Sequence, residues 1–377
     1  MLSHRSTEFR WLPTGDETFA VMLAAIEAAK ISVRQEVYIV DPCPLAEKFR
    51  DALVRAAKRG VKVRVLIDAW GSQSLTDEFW QPLVSAGGEQ RWFNPLALER
   101  FAFRDHRKLL VCDDRVAFVG GFNIAPEYEG DGVSRGWCDI GLQIIGTLSA
   151  ELATSFDQMF GRASFVHKRF MRFSKLSANK TVAVEEGKLL LSGPGRGFSP
   201  IKRALKRDLE LARNIQIIAA YFLPTWTIRN LIVHAAKHGN RVQLILPAKS
   251  DVPISQLATR VLYHRLLRAG VEIYEYQPQI LHAKLVIIDD MVYAGSCNLD
   301  LRSLHFNYEL LVRATDPALA AQARDIFART LKHCRRVERI EWRRSRTFWS
   351  KLKEQWAYII LARFDPWVAR WQLKLLS

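Results

Sequence analysis

No stretch of this chain reaches the ~20 consecutive apolar residues that a helix needs to cross a bilayer. Phe19 to Ala29 comes nearest to a signal-peptide core. Asp16 and Glu17 precede it and Glu27 interrupts it, so it reads as a first amphipathic helix. Cysteine is scarce too: Cys43, Cys112, Cys138, Cys297 and Cys334 are scattered, odd in number and free of any Cys-x-x-Cys pair. That argues against a disulfide framework or a zinc site and for a reducing compartment. Cys112 and Cys297 read as small buried fillers. Acidic residues are outnumbered, 39 against 55 Lys and Arg, for a net charge of +16. Such an excess favours an anionic partner, nucleic acid or an anionic membrane, and charge alone does not choose between them. Apolar residues are plentiful: 49% of 377, enough for two domains of ordinary size.

One short pattern occurs twice, about half a chain apart. The first copy is His106-Arg-Lys108-Leu-Leu-Val-Cys-Asp113, followed by Gly120-Gly121-Phe-Asn123. The second is His282-Ala-Lys284-Leu-Val-Ile-Ile-Asp289, followed by Gly295-Ser296-Cys-Asn298. A single His-x-Lys is weak evidence. Two copies with the same apolar run, Asp-Asp ending and Gly-x-x-Asn tail point to an internal duplication that builds one site from two halves. The apolar runs read as buried strands. On a strand, residues i and i+2 share a face, so His106 projects with Lys108 and His282 with Lys284.

Two imidazoles, two ammonium groups and two carboxamides are what a phosphoryl site needs. The lysines neutralise nonbridging oxygens, while Asn123, Asn298, Ser296 and the backbone at Gly121 bind the phosphate. One imidazole attacks phosphorus and the other protonates the leaving oxygen. Each histidine also needs a carboxylate to fix its tautomer. Each half offers one at similar distance, Asp139 and Glu309, both opening an apolar run. Asp113 and Asp289 complete the repeated pattern and are carried as catalytic candidates with it, although strand ends suit turn or salt-bridge residues.

The order of elements repeats around the two copies. In the first half, helices are expected over 16–30, 45–59 and 77–86, and strands over 31–40, 61–67 and 90–93. In the second, helices fall over 201–212, 225–238 and 255–269, and strands over 215–221, 241–246 and 271–276. Glycine follows several of these helices as a stop. The alternation predicts an α/β protein of two pseudo-symmetric halves, each a mixed sheet flanked by helices, with the active site between them. The halves span 1–165 and 201–335. Residues 166–200 read as a connector and 336–377 as a separate tail.

At these residues the chain resembles the phospholipase D superfamily, marked by a paired His-x-Lys-x4-Asp motif, and within it the shorter B-type bacterial cardiolipin synthases. Similar-looking stretches include Ala56-Ala-Lys-Arg-Gly60, Tyr221-Phe-Leu-Pro224, Asn298-Leu-Asp-Leu-Arg-Ser303 and Asn307-Tyr-Glu309. The resemblance implies a covalent phosphohistidine intermediate, with no metal and no other cofactor. It implies His106 as nucleophile and His282 as general acid, then base. It also implies transfer of a phosphatidyl group from one phosphatidylglycerol to another. The alternatives are a hydrolase or nuclease of the same superfamily, and a transphosphatidylase with another donor such as phosphatidylethanolamine. Two features depart from the pattern. Gly121 stands where serine is common, and Asp289 to Gly295 is one residue shorter than Asp113 to Gly120.

The tail differs in composition from the rest. Trp342, Trp349, Trp356, Trp367 and Trp371 interleave with arginines and lysines, and Trp349, Leu352, Trp356 and Ile360 share one helical face. Pro366 is expected to end that helix. Tryptophan and aliphatic residues opposite cations form an interfacial helix. The competing reading is a helix docked on the core. The expected partners are therefore phosphatidylglycerol and an anionic bilayer surface, without nucleic acid; no obligate protein partner is readable. The expected location is peripheral, at the bacterial cytoplasmic membrane.

Overall fold

The computed structural model describes residues 7–94, 103–163, 179–184, 187–194 and 199–364. The first half runs β1 (Glu8–Leu12), α1 (Gly15–Ala28), β2 (Ser32–Val37), α2 (Pro44–Lys58), β3 (Lys62–Asp68), α3 (Asp77–Ser85) and β4 (Glu89–Phe93). It continues with β5 (Leu109–Cys112), β6 (Val116–Gly120), β7 (Gly141–Ile145) and α4 (Thr147–Ala163). A hairpin, β8 (Lys180–Val184) and β9 (Gly187–Ser192), leads into the second half. There the order is α5 (Pro200–Glu210), β10 (Asn214–Ala219), α6 (Trp226–Lys237), β11 (Arg241–Pro247), α7 (Pro253–Ala269) and β12 (Glu272–Tyr276). Next come β13 (Lys284–Ile288), β14 (Met291–Gly295), α8 (Leu301–His305), β15 (Glu309–Thr315), α9 (Pro317–Leu331) and β16 (Cys334–Arg336). The described residues end in α10 (Arg339–Ser345), α11 (Phe348–Ile359) and a π-turn over Ile360–Phe364.

The strands form two sheets, ordered β1-β7-β6-β5-β2-β3-β4 and β16-β12-β11-β10-β13-β14-β15-β9-β8. Each contains the same six-strand series. β7-β6-β5-β2-β3-β4 corresponds to β15-β14-β13-β10-β11-β12, with three parallel strands joined to an antiparallel meander. This is the mixed sheet that the repeated pattern predicts. Gly60 and Gly239 stop α2 and α6 with φ of 84° and 83°, values that glycine adopts without strain. The stretch read as a connector does more than connect. β8 and β9 extend the second sheet beyond β15, because Leu189, Leu190 and Leu191 are a buried strand rather than a linker.

Helices cover both faces of each sheet. One apolar core joins the halves, with Phe156 and Phe160 of α4 and Ile326 and Phe327 of α9 packed among residues of both sheets. Separate cores lie under α1 to α3 and under α5 to α7. The shared core fixes the two sheets face to face, which brings the equivalent strand ends together. Among the described residues, no helix is long and apolar enough to cross a membrane.

Candidate active site

The two repeated patterns lie on β5 and β13, the middle strands of their sheets, and both begin at the sheet edge that meets the other half. Each strand entry is stitched to the opposite half. Asp105 bridges to Tyr308, and the His106 N–H donates to the Tyr308 carbonyl at 3.1 Å. In the mirrored arrangement Leu281 bridges to Cys138, and the His282 N–H donates to the Cys138 carbonyl at 2.8 Å. The residue after each of these partners is a carboxylate. Glu309 follows Tyr308, and Asp139 follows Cys138.

The dyads are therefore crossed between halves. His106 Nδ1 lies 3.0 Å from Glu309, and His282 Nδ1 lies 2.6 Å from Asp139. Both carboxylates are buried. Each half offers an orienting carboxylate, as its sequence indicates, but supplies it to the other half's histidine. With Nδ1–H held by a carboxylate, Nε2 is the nitrogen left to act on a substrate.

Lys108 and Lys284 project with their histidines, and each folds back to donate to its own histidine's carbonyl, Lys108 at 2.8 Å. The Lys284 ammonium also lies 2.9 Å from His282 Nδ1 and 3.2 Å from Nε2. Burial dominates the electrostatics of this cluster. It pushes the Lys108 ammonium down to about 7, helped by the charge of Lys284 and opposed by Glu309 and Asp139. Lys284 is lowered by burial as well. Burial, then Lys284, brings His282 down to about 4 against the pull of Asp139. Burial and Lys108 lower His106 against Glu309. The lysine of each half acts on the histidine of the other, so the two patterns share one site. Two buried lysines held below the ordinary amine range form a site that an anion completes by favouring their charged form.

Other expected site residues serve as supports. Ser296, expected at the phosphate, donates its hydroxyl to Glu309 and accepts from the Leu310 N–H at 3.1 Å. Gly121 is its counterpart, and a Cβ there would lie 2.3 Å from Asp139 Oδ1, so the Asp139 carboxylate occupies the space of a side chain. Gly295 meets the Leu310 carbonyl as closely: a Cβ would sit 2.2 Å from that oxygen. Asn123 accepts from the Ile39 N–H at 3.1 Å and donates to the Tyr128 hydroxyl at 2.7 Å. Asn298 is buried, and its carboxamide oxygen has no hydrogen-bond partner among the described residues.

Asp113 and Asp289, carried with the pattern as catalytic candidates, are placed away from the histidines and bind backbone instead. They sit at the far ends of β5 and β13 from the histidines. Asp113 accepts from the N–H groups of Ile31 at 2.7 Å and of Lys30 and Ser32 at 2.9 Å, fixing the start of β2. Asp289 accepts from the Asn214 N–H at 2.9 Å and does the same for β10. Both have left-handed φ, 54° and 52°, which a short polar side chain tolerates in a hairpin turn. The one-residue difference between the copies is absorbed in these turns. Leu109 pairs with Val119, and Leu285 with Ala294, so the site ends keep equivalent register.

Aromatic residues line the site, and the repeated pattern does not announce them. Tyr38 packs edge-on to His106 at 5.0 Å between ring centroids, with the Lys108 ammonium 5.1 Å over its ring. Tyr128 and Trp137 pack on His282 at 5.2 and 5.5 Å, and Tyr221 stands at 6.4 Å. The Tyr128 hydroxyl is 3.4 Å from His282 Nε2. Tyr38 and Tyr221 follow equivalent strands, β2 and β10, but stand one position apart in the shared register, so aligning the two halves does not pair them. Tyr128 and Trp137 lie in a 3₁₀ turn and a loop of the first half and carry no periodic signal.

Residues 22–162 and 205–331 match the family described as cardiolipin synthase, PLD-like domain. The chain is 32% identical over 346 residues to cardiolipin synthase 1 of Bacillus cereus, covering 88% of this chain and 68% of that protein. It is 30% identical over 369 residues to cardiolipin synthase B of Salmonella typhimurium, covering 96% of this chain and 89% of that one. Among solved structures, phosphatidylserine synthase of Haemophilus influenzae shares the fold, with a TM-score of 0.74 at 15% identity over 96% of this chain and 94% of the other.

Proposed function

The chain belongs to the cardiolipin synthase, PLD-like domain family, and on that premise we propose that it is a phospholipid transphosphatidylase that joins two phosphatidylglycerols into cardiolipin and releases glycerol. One observation carries this reading: two crossed carboxylate–histidine dyads enclose two buried, anion-seeking lysines in a single site. Such a site suits a phosphodiester, which brings the missing negative charge.

The His106 Nε2 lone pair attacks phosphorus, and the bond from phosphorus to the glycerol headgroup oxygen breaks. His282 gives that oxygen its proton. The bound phosphodiester anion and Asp139 favour the imidazolium form of His282 that this step requires. Lys108 and Lys284 offset charge on the nonbridging oxygens. The headgroup hydroxyl of a second phosphatidylglycerol then gives its proton to His282 and attacks phosphorus. The phosphorus–nitrogen bond breaks, and His106 is restored. Tyr38, Tyr128, Trp137 and Tyr221 narrow the space around the imidazoles and limit water at the intermediate. Both substrates reside in an anionic membrane, so the protein works peripherally at the cytoplasmic membrane.

The test is to incubate the full chain with phosphatidylglycerol vesicles and, separately, with DNA, and to resolve the products by mass. Cardiolipin and glycerol in equal amounts are expected, and both are lost in His106→Ala and His282→Ala. Phosphatidic acid alone identifies a hydrolase, and DNA cleavage a nuclease. Cardiolipin formed only when phosphatidylethanolamine is present reassigns the donor.

A further inference from the structure

The C-terminal helix α11 has two apolar faces. One is docked: Ala357 is buried in the second-half core, Glu354 is buried in an ion pair with Arg346, and the Tyr358 hydroxyl accepts from Arg229 at 3.2 Å. Trp342 of α10 packs tilted against Tyr263 of α7 at 4.7 Å between ring centroids, so this segment is anchored along α7. The other face is bare. Phe348, Trp349, Leu352, Trp356, Ile359 and Ile360 are all exposed, Trp349 at 68% and Trp356 at 60%. At 3.6 residues per turn the five within α11 occupy an arc of about 100°, roughly opposite the docked residues, and Ile360 follows at the start of the π-turn. A helix already packed on the core has no structural need for a second apolar face, and a contiguous one marks an interaction surface.

The position of this face is informative. α6 and α7 begin at the edge of the second sheet where β10 and β11 end. Lys284 lies at that same edge, paired with Ala219. Trp226, the first residue of α6, is 68% exposed there. The bond from Arg229 to Tyr358 brings the end of α11 to the first turn of α6. The bare stripe therefore runs toward the end of the fold that carries the site. Exposed Lys351 and Lys353 lie on the same helix, and exposed Arg343 and Arg344 on the one before it.

We propose that the bare face of α11, continued by Trp226, is the surface on which the protein sits in a bilayer carrying anionic headgroups, with the His106–His282 site turned toward the lipid. This rests on the phospholipid reading above. Aromatic and aliphatic side chains enter the headgroup boundary while the flanking cations meet phosphate. Because α11 is pre-docked on α7, membrane binding fixes the orientation of the whole catalytic unit. Trp367 and Trp371, read from the sequence as part of the same tail, and Pro366, read as its stop, lie outside the described residues.

The test uses the full chain, the double variant Trp349→Glu/Trp356→Glu, the single variant Trp226→Ala, and Leu211→Glu as a control at an exposed apolar residue elsewhere. Sedimentation with vesicles of phosphatidylglycerol and phosphatidylcholine is measured beside turnover of short-chain phosphatidylglycerol below its micelle concentration. Vesicle affinity of the double variant should fall at least about ten-fold, with a smaller fall for Trp226→Ala and none for Leu211→Glu. Short-chain turnover should stay within about two-fold and melting should be unchanged, as for surface substitutions. Unchanged vesicle binding overturns the proposal. So does a wild-type dimer that the double variant splits, which makes a second copy the occupant, or a loss confined to DNA binding. Vesicle binding through this face without any phosphatidyl transfer by the wild type leaves the surface standing and removes the proposed function instead.

Discussion

Replacing Glu309 with glutamine isolates the crossed dyad. Glu309 is fully buried, lies 3.0 Å from His106 Nδ1 and accepts from Ser296. Glutamine keeps the shape and removes the charge. Its amide nitrogen can also donate to Nδ1, which moves the imidazole proton to Nε2 and blocks the nucleophile. Losing the carboxylate that orients a catalytic histidine costs up to about ten-thousandfold in rate, chiefly through the wrong tautomer. A loss of at least about a hundredfold in phosphatidyl transfer is expected here. The site of the damage is the sharper test. Glu309 raises the affinity of His106 for a proton, so Glu309→Gln should lower the His106 pKa further and leave His282 nearly unmoved. Asp139→Asn should do the reverse, lowering His282 alone. Histidine titration by NMR reads both. A Glu309→Gln enzyme within about threefold of wild type, or one whose larger shift falls on His282, would refute the crossed assignment.

In the proposed cycle the free enzyme needs His106 neutral and both His282 and Lys108 protonated. Burial holds His106 below its ordinary value, His282 at about 4 and Lys108 at about 7, so kcat/KM should decline as pH rises above about 4, where His282 loses its proton, and more steeply above about 7, where Lys108 does. A bound phosphodiester raises the lysine, so the alkaline limb of kcat should lie at higher pH than that of kcat/KM; coincident limbs would remove Lys108 from phosphate binding. A methyl group at position 121 would displace the Asp139 carboxylate, whereas removing the Ser296 hydroxyl leaves Glu309 in place with one bond fewer. Gly121→Ala should therefore cost more transfer activity than Ser296→Ala, with melting temperatures checked to exclude global unfolding, and the opposite order would contradict the packing argument.

The sheet series, the flanking helices and the two His-x-Lys pairs were legible because periodicity and repetition act locally. Gly60 and Gly239 end helices where their positions indicate, and the apolar runs after Lys108 and Lys284 are the middle strands of the sheets. What escaped the sequence depends on contacts between segments far apart. The hairpin over 180–192 pairs with β15, a partner that nothing in its own composition names. The crossing of Asp139 and Glu309 follows from bridges at Tyr308 and Cys138, which exist only once the halves meet. Asp113 and Asp289 were grouped with the chemistry by a motif whose last position turns out to tie off a hairpin.

The crossing also explains why two copies of the pattern are held in one chain with a common core. A single half has a histidine and a lysine but not the carboxylate that orients that histidine. It also presents a sheet face whose apolar residues are covered by the other half and by α4 and α9. Stability and chemistry thus depend on the same interface. Within that constraint the halves have diverged. Glu309 with Ser296 faces His106, while the shorter Asp139 fills the space beside Gly121 and faces His282, which three aromatic rings enclose. One carboxylate is held by a hydroxyl and the other by packing. The imidazole in the aromatic enclosure is also the one brought down to about 4. The proposed reaction asks one histidine to bond phosphorus and the other to pass a proton back and forth, and unequal environments favour one assignment of these roles. A perfectly symmetric pair would leave the two roles interchangeable.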